Sequence, residues 1–354
     1  MIRIYKTSEV INFTLEKLMK KNKNIVCFGL GVDDPKSIFN TTKNLQKKFG
    51  EYRVFDTPAS ENAMTGIGIG MSLNGKIPIM IHQRLDFFLL AMDQLVNNAS
   101  KWNIMFGGKN RVPITIRLII GRGWGQGPTH SQNFQNMFAS VPGLKIYIPS
   151  FPSTVRSILH SAVKSSDPVL IIEHRWLHYM SEKIDFKIKP KKIGTIKKIK
   201  NGKDLTIVSS SYSTFEILKL YDILKKCKIS IDHLDINILK PFNTDLIYNS
   251  VNKTGKLLIL DNSVHKYCSF WGHLISELVS RKKNIFKKEP INLNLPDIPS
   301  PTSYYLSRYF YNNLEDICKK IGNLLNKKIK LPPNTNKHDI PDPDFRGPFW
   351  KLKF

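Results

Sequence analysis

The stretch DTPASENAMTGIGIG, residues 56–70, indicates the fold of the first half of the chain. From Glu61 to Leu73 the residues are small or apolar, which suits a helix packed closely on a neighbouring element. On either side lie two short apolar runs, Asn24–Leu30 and Ile77–His82, that predict strands. Strands that alternate with helices of this length are typical of an α/β fold.

The same alternation extends outward through the whole chain and restarts near residue 204. The further predicted strands are Val112–Ile120, Leu144–Ile148, Pro168–Glu173, Asp204–Ser210, Ile229–Ile236 and Lys256–Asp261. The further predicted helices are Phe87–Trp102, Thr154–Val163, Thr214–Cys227, Asn243–Thr254 and Phe270–Ser280. The pattern predicts two doubly wound α/β domains, each with a mostly parallel sheet.

A lysine-rich stretch, Lys183–Lys203, separates the two halves and is interrupted by Pro190 and Gly194. It has no long apolar run, so we expect an edge strand and a linker. The predicted division is a first domain at 1–185, a linker at 186–203, a second domain at 204–327 and an extended tail at 328–354.

Composition limits the classes of function. The chain has 354 residues, of which 41% are hydrophobic, so packed cores are expected and disorder is not. No apolar window approaches 18 residues and the first ten residues lack a signal-peptide pattern, so no membrane association is expected. The four cysteines are far apart, which favours reduced thiols and a cytoplasmic location.

The net charge of +26 comes from lysines spread along the chain. A nucleic-acid-binding protein would cluster its basic residues, so the spread favours compositional bias and argues against a nucleic-acid partner. An acidic protein partner is the other interpretation that remains open.

Glu61 is the first candidate for chemistry. A carboxylate at the start of an apolar, glycine-rich helix would be poorly solvated unless a group donates a hydrogen bond to it, and such an environment suits a carboxyl group to share a proton. The alternative is that Glu61 only stabilises the helix N-terminus by its charge.

A second cluster lies on the predicted helix Phe87–Trp102. Four polar residues fall on adjacent turns: Asp93, Gln94, Asn97 and Asn98. They predict either contact with another subunit or a solvated helix face.

The third cluster is the glycine-rich loop Gly121–Pro128 and the histidine that follows it, His130. The loop follows a predicted strand, where open α/β sheets bind ligands, and His130 is a candidate acid or base near neutral pH. The loop matches neither the GxGxxG nor the Walker phosphate-binding pattern. A histidine satisfied within a local turn is the alternative.

Taken together, these motifs resemble those of the beta subunits of pyruvate and branched-chain 2-oxo acid dehydrogenases. The resemblance is dense from Lys6 to Tyr179 and looser over Gly202–Leu325. The matching motifs are Asp56–Glu61, Gly66–Gly70, Ala91–Gln94, Asn97–Lys101, His130–Gln132, Pro142–Lys145 and Asp167–Val169.

The resemblance implies a transketolase-like pyrimidine-binding domain followed by a transketolase carboxy-terminal domain. It also implies a heterotetramer of two alpha and two beta chains, with thiamine diphosphate between them. The alpha subunit would hold the diphosphate and magnesium through a motif that starts Gly-Asp-Gly, a string that this sequence lacks. The implied activity is decarboxylation of a 2-oxo acid and transfer of the acyl group to lipoamide on an acyltransferase partner.

The resemblance assigns roles to three residues. Glu61 matches the glutamate that hydrogen-bonds the cofactor's aminopyrimidine, and Phe87 matches an aromatic residue stacked beside that ring. His130 matches the active-site histidine, for proton transfer or for holding the acyl acceptor. Some relatives bind a structural potassium ion, and Thr115 and Ser165 fall near the matching positions.

The sequence departs from the family pattern in two places. Ile81 stands where an acidic residue is common, and the loop before His130 carries Arg122 and Trp124. Both changes lie near the expected substrate entrance, so the resemblance does not identify the substrate.

Two alternatives remain. Gly127-Pro128-Thr129-His130 is similar to a transketolase string and favours the carboxy-terminal half of a split transketolase, or a related enzyme of a sugar pathway. A non-catalytic subunit is the other alternative, against which Glu61 and His130 argue.

Overall fold

The structure is a computed structural model that describes residues 2–122, 127–264 and 270–332. The chain forms two compact units. Of the described residues, the first unit contains 2–120 and Phe138–Ile193, and the second contains 121–122, 127–137, 194–264 and 270–332. The division falls inside the stretch expected to be a linker, while the predicted limits at 185, 203 and 327 stay predictions.

The first unit is built on a parallel sheet. In chain order its strands are β1 (Arg3–Lys6), β2 (Ile25–Gly29), β3 (Val54–Asp56), β4 (Ile77–His82), β5 (Thr115–Ile120), β6 (Lys145–Tyr147), β7 (Val169–His174) and β8 (Ser181–Ile184). The spatial order is β6-β7-β5-β4-β2-β3, and every neighbouring pair in this series is parallel. Strands β1 and β8 form a separate antiparallel pair.

Helices and turns connect these strands. They are α1 (Thr7–Lys21), α2 (Ser37–Asn40), α3 (Leu45–Phe49), α4 (Glu61–Leu73), α5 (Leu85–Phe88), α6 (Trp102–Met105), α7 (Gln135–Ala139) and α8 (Pro152–Ala162). All four residues of α2 have positive φ, so this element is a left-handed turn. Short 3-10 turns occupy Leu89–Ala91 and Arg175–Tyr179.

The second unit has its own sheet and helices. Its strands are β9 (Ile196–Lys200), β10 (Leu205–Ser210), β11 (Ile231–Ile236), β12 (Ile238–Lys240), β13 (Leu257–Val264) and β14 (Ile291–Leu295). Its remaining helices are α9 (Tyr212–Lys226), α10 (Asp245–Thr254), α11 (Phe270–Arg281), α12 (Tyr304–Phe310) and α13 (Leu314–Leu325). The sheet order is β14-β13-β10-β11-β9, parallel except for the antiparallel edge strand β9.

The predicted fold class, two α/β domains with mostly parallel sheets, is confirmed. Strands β5 and β7 are buried along their whole length, as expected for parallel strands covered on both faces. In the second unit Val208, Leu234 and Ile259 lie in one core cluster with Trp271 of α11.

One predicted helix is divided. The segment Phe87–Trp102 contains the end of α5, the 3-10 turn at Leu89–Ala91 and a π-helix at Asp93–Ala99, and α6 starts at Trp102. Regular apolar spacing indicates a helix but does not distinguish α, 3-10 and π hydrogen bonding.

Two predicted features lie partly outside the described residues. These are Gly123–Gln126 of the glycine-rich loop, which includes Trp124, and residues 333–354 of the tail. Among the helices that the structure does describe, none has the length and apolar character needed to cross a membrane.

Candidate active site

Glu61 is the first residue of α4 and is 8% exposed. Within the described parts of the chain, its carboxylate has no hydrogen bond or ion pair. Its backbone carbonyl accepts a hydrogen bond from Thr65 Oγ1 at 2.8 Å, which is a helix-internal contact. A buried carboxylate without a partner is costly, so the side chain is suited to a ligand that donates a hydrogen bond. Its position in the first helical turn is also favourable for a negative charge.

Glycines let α4 pack closely on the sheet. A Cβ atom at Gly68 would lie 2.6 Å from Ile114 Cδ1 and 3.2 Å from Phe28 Cζ. Gly66 faces the Gln94 side chain, whose Oε1 would be 3.5 Å from a Cβ there. The small residues of the quoted stretch therefore fix α4, and with it Glu61, against the sheet and the π-helix.

Asp56, at the end of β3, shapes the loop that follows β2. Its carboxylate accepts hydrogen bonds from the backbone N–H groups of Gly31 at 3.0 Å, Val32 and Asp33 at 3.3 Å. Burial raises the pKa of this carboxyl group, and the Val32 hydrogen bond opposes the rise. Asp56, at the start of the decisive stretch, therefore has a structural role at the carboxyl edge of the sheet.

Phe87 lies on α5, directly after β4, and α5 packs against α4. Its side chain is half-buried, whereas the neighbouring Phe88 is fully buried. The Phe88 ring lies 5.0 Å from the His82 ring and 6.1 Å from the Phe138 ring, between centroids. Phe88 is therefore a core residue, whereas Phe87 is partly accessible to solvent, and its role beside a cofactor ring stays a prediction.

The polar row of the π-helix is linked by its own hydrogen bonds. Asn97 Nδ2 donates to Asp93 Oδ1 at 2.8 Å, and Asn98 Nδ2 donates to Gln94 Oε1 at 3.3 Å. Asp93 and Asn97 are exposed, while Gln94 and Asn98 are half-buried. These contacts fit a solvated face, and its use as a subunit interface stays a prediction.

His130 belongs to the second unit and is half-buried. Its Nδ1 lies 2.9 Å from Thr129 Oγ1, and its backbone N–H donates to the Gly127 carbonyl at 3.3 Å. Gly127 has φ +70°, and a Cβ there would lie 2.2 Å from Thr302 Oγ1, so this turn requires glycine.

Arg122, one of the two departures in the loop, forms a buried ion pair with Glu216. The distance from Nη2 to Oε1 is 2.8 Å, and the side chains are 3% and 1% exposed. The guanidinium also lies 4.8 Å from the Tyr311 ring centroid. Arg122, although it departs from the family pattern, therefore makes structural contacts within the second unit.

Glu61 and Phe87 lie in the first unit and His130 lies in the second. Their roles in catalysis and cofactor binding stay predictions. Ile81, the position expected to be acidic, is a fully buried residue of β4.

The two residues near the predicted potassium site differ in their surroundings. Thr115 is fully buried, and its Oγ1 has no hydrogen-bond partner among the residues described. Ser165 Oγ accepts a hydrogen bond from Lys145 Nζ at 2.9 Å and donates to the Asp167 carbonyl at 3.0 Å. The Lys145 ammonium group beside Ser165 disfavours a second cation at this hydroxyl. Potassium binding near Thr115 and Ser165 stays a prediction.

Sequence reasoning missed a buried charge network in the first unit. Arg117 on β5 and Glu173 on β7 form an ion pair that His178 joins through Glu173. A charged residue inside each of two apolar strands was the signal that could have revealed it.

Two family models match this chain, one over most of the first unit and one over most of the second. Residues 5–179 match the transketolase pyrimidine-binding domain, and residues 194–317 match the transketolase C-terminal domain. A solved structure of a split-gene transketolase, an inactive beta4 tetramer, superposes with a TM-score of 0.71 at 19% identity, covering 91% of this chain and 99% of that one. The fold therefore defines a transketolase-like protein of two α/β domains.

Similar sequences narrow the class to a family. The Acholeplasma laidlawii pyruvate dehydrogenase E1 component subunit beta is 33% identical over 260 residues, covering 73% of this chain and 80% of that protein. The subunits of the same name from Mesostigma viride and Bacillus subtilis are 28% and 29% identical, covering 91% and 86% of this chain and 98% and 94% of those proteins. The chain belongs to the family of pyruvate dehydrogenase E1 beta subunits, which confirms the resemblance seen in the sequence.

Proposed function

We propose that this chain is the beta subunit of a thiamine-diphosphate-dependent 2-oxo acid dehydrogenase. Together with an alpha subunit it decarboxylates a 2-oxo acid and transfers the acyl group to lipoamide. Family membership supports this assignment. The observation that carries it is the buried Glu61 carboxylate, which lacks a partner among the described residues at the start of α4.

The residues of the first unit fit the cofactor's aminopyrimidine. Glu61 offers a buried acceptor for a hydrogen bond from a ring nitrogen, and the half-buried Phe87 offers an aromatic face. Bound thiamine diphosphate supplies the electron sink for decarboxylation. By accepting that hydrogen bond, the Glu61 carboxylate would keep the proton on the ring nitrogen of the aminopyrimidine. Phe87 would hold the ring in place.

The diphosphate and magnesium belong, in this proposal, to the alpha subunit. No group of three or more His, Cys, Asp or Glu side chains that could hold a metal ion occurs in the described part of this chain. Magnesium bound with phosphates prefers carboxylate oxygens, and in this proposal the alpha subunit supplies them.

His130 is the proposed second active-site residue. Its imidazole lies on a turn fixed by Gly127. It moves a proton during acyl transfer or holds the acyl acceptor. The proposed assembly has two alpha and two beta chains, with a lipoyl acyltransferase as acceptor.

A second candidate is the carboxy-terminal half of a split transketolase, which moves two-carbon units between sugars. The string Gly127-Pro128-Thr129-His130 favours it, and the fold is also that of a split-gene transketolase. Assays of the chain with its alpha subunit separate the two candidates: 2-oxo acid turnover supports the first, and ketol transfer between sugars supports the second.

The decisive variant is Glu61→Gln in the reconstituted complex. Loss of the carboxylate should lower turnover by about 10²–10⁴-fold, the range for a positioned acid or base. Glu51→Gln, at an exposed glutamate of the same unit, is the matched control and should leave turnover unchanged. Full activity of Glu61→Gln would contradict the proposal and indicate a subunit that serves only assembly.

A further inference from the structure

Two arginines approach one aromatic ring at the carboxyl edge of the first unit's sheet. The Arg175 guanidinium carbon lies 3.9 Å from the centroid of Phe39, and that of Arg84 lies 5.8 Å from it. Arg84 follows β4, and Arg175 directly follows β7. Because these strands are parallel, both arginines lie at the same edge of the sheet.

That edge is where open α/β sheets bind ligands. The strand order places β3 on one side of β2 and β4 on its other side, so the topology reverses between β2 and β4. The chain that leaves β2 leads to Phe39, and the chain that leaves β4 leads to Arg84. Ligands of doubly wound folds bind outside the carboxyl ends of strands at such a switch point.

Arg175 carries a buried charge without a described counterion. It is 6% exposed, and its Nη2 donates a hydrogen bond to the Tyr179 hydroxyl at 3.0 Å. No carboxylate in the described ranges lies within ion-pair distance, and its Nε is buried without an acceptor there. Buried charges are normally paired, as they are at Arg117 with Glu173 and at Arg122 with Glu216.

Arg84 adds a second positive charge at this position. The pKa of Arg84 is lowered to about 10, mainly by burial and then by the nearby charge of Arg175. The charge of Asp86 acts in the opposite direction and raises this pKa. Two like charges repel in a medium of low dielectric constant, and an anion beside both would offset this repulsion.

The Phe39 ring belongs to a strained turn. Ser37, Ile38, Phe39 and Asn40 have φ values of 46°, 43°, 59° and 67°. The left-handed conformation is unfavourable for residues that carry a Cβ atom, so surrounding contacts must hold it in place. Strain of this kind is concentrated at active sites and ligand clamps.

We propose that Arg84 and Arg175, with Phe39 as a stacking surface, form a binding site for a small oxyanion, a carboxylate or a phosphate group. The guanidinium fork matches both groups through paired N–H donors. This site is independent of the proposed function, since it uses neither Glu61 nor the cofactor. Carboxylate and phosphate ligands share this chemistry, so the experiment tests both.

The test measures thermal unfolding of the full chain without thiamine diphosphate. Sodium phosphate and sodium pyruvate are each compared with sodium chloride at equal ionic strength. A ligand at about 100 times its dissociation constant should raise the wild-type midpoint by about 3–5 °C. Arg175→Met should lose at least half of this rise, and Arg84→Met should reduce it.

Arg156→Met is the matched control. Arg156 is 8% exposed and lies 4.7 Å from the Phe186 ring, but its guanidinium donates to the carbonyls of Asp185, Phe186 and Ile188. This variant should lower the midpoint in chloride and keep the full response to the anion. Arg175→Met should lower the midpoint less, because it removes a charge that lacks a described counterion.

Two results would overturn the proposal: a wild-type chain that responds to neither anion, or an Arg175→Met response equal to that of the wild type. If Arg175→Met does not fold, Arg175→Lys replaces it. Lysine keeps the charge but loses the fork, so a reduced response supports the site and an unchanged response refutes it. Glu61→Gln should respond as the wild type does, so failure of this proposal is separable from failure of the proposed function.

Discussion

Arg117 and Glu173 form a two-bond ion pair between neighbouring strands in the interior of the first unit. Nε lies 2.6 Å from Oε1 and Nη2 lies 2.8 Å from Oε2, with side chains 0% and 3% exposed. Arg117 pairs in register with Ile171, so Glu173 is its diagonal neighbour on β7. Arg117 Nη1 also donates to Thr41 Oγ1 at 3.3 Å, which links the pair to the residue after the left-handed turn.

Glu173→Gln should lower the free energy of unfolding by about 3–5 kcal/mol, since it leaves the Arg117 charge buried without its partner. Urea unfolding of the full chain measures the change. Arg111→Met breaks the exposed pair with Asp167 and should cost about 1 kcal/mol or less. Equal losses in the two variants would contradict the importance of burial.

The same pair predicts a pH dependence. Burial alone would raise the pKa of Glu173, but the Arg117 charge and the hydrogen bonds from Arg117 and His178 lower it to about 2. The unfolded chain therefore binds the proton first, and the stabilisation present above about pH 4.5 is lost as the pH falls toward 2. The difference in unfolding free energy between wild type and Glu173→Gln should shrink over this interval, and a constant difference would refute the assignment.

His82 predicts an effect at higher pH. It is fully buried, neither ring nitrogen has a hydrogen-bond partner among the described residues, and burial lowers its pKa from 6.5 to about 3. The unfolded state binds a proton below about pH 6.5 while folded His82 stays neutral, so stability falls as the pH decreases toward 3.

His82→Leu should therefore gain stability relative to wild type by about 1.4 kcal/mol per pH unit below 6.5. Urea unfolding at pH 7.5, 6 and 5 measures this gain. His273→Leu, at an exposed position of α11, controls for the removal of a histidine. A gain that does not change with pH would show that His82 takes up its proton in the folded chain.

Two glycines of α4 should respond oppositely to alanine. Gly68→Ala places a methyl group against Ile114 and Phe28 and should cost about 1–3 kcal/mol by overpacking. Gly70→Ala meets nothing within 4 Å and should stabilise the isolated chain by about 0.5–1 kcal/mol through helix propensity. Thermal or urea unfolding compares the two, and equal effects would show that close packing at Gly68 is unimportant.

Neighbouring phenylalanines separate cofactor binding from core packing. Phe87→Leu should raise the dissociation constant for thiamine diphosphate in the reconstituted complex by about 2–10-fold, through loss of an aromatic contact. Phe88→Leu, in the buried core, should lower stability and leave that constant unchanged. Titration of the apo complex with cofactor measures both, and a larger effect at Phe88 would argue against the role proposed for Phe87.

Much of the fold was predictable because it is encoded locally. The boundaries of α4 were predicted as Glu61–Leu73 and observed as such, since an acidic residue begins a run of small and apolar residues. Helix α1 was not predicted, although its buried residues Val10, Ile11, Leu15, Leu18 and Met19 have helical spacing. The predicted helix Phe87–Trp102 was divided because apolar spacing does not specify the hydrogen-bond pattern.

The sequence by itself determined the alternation of strands and helices, the family and the candidates Glu61, Phe87 and His130, because short motifs and local periodicity carry that information. Tertiary structure alone decided that Arg117 contacts Glu173 and that Arg84 and Arg175 both lie close to the ring of Phe39. These relationships join residues far apart in the chain, and burial depends on which strands become neighbours. Sheet order therefore sets the electrostatic environment of these groups.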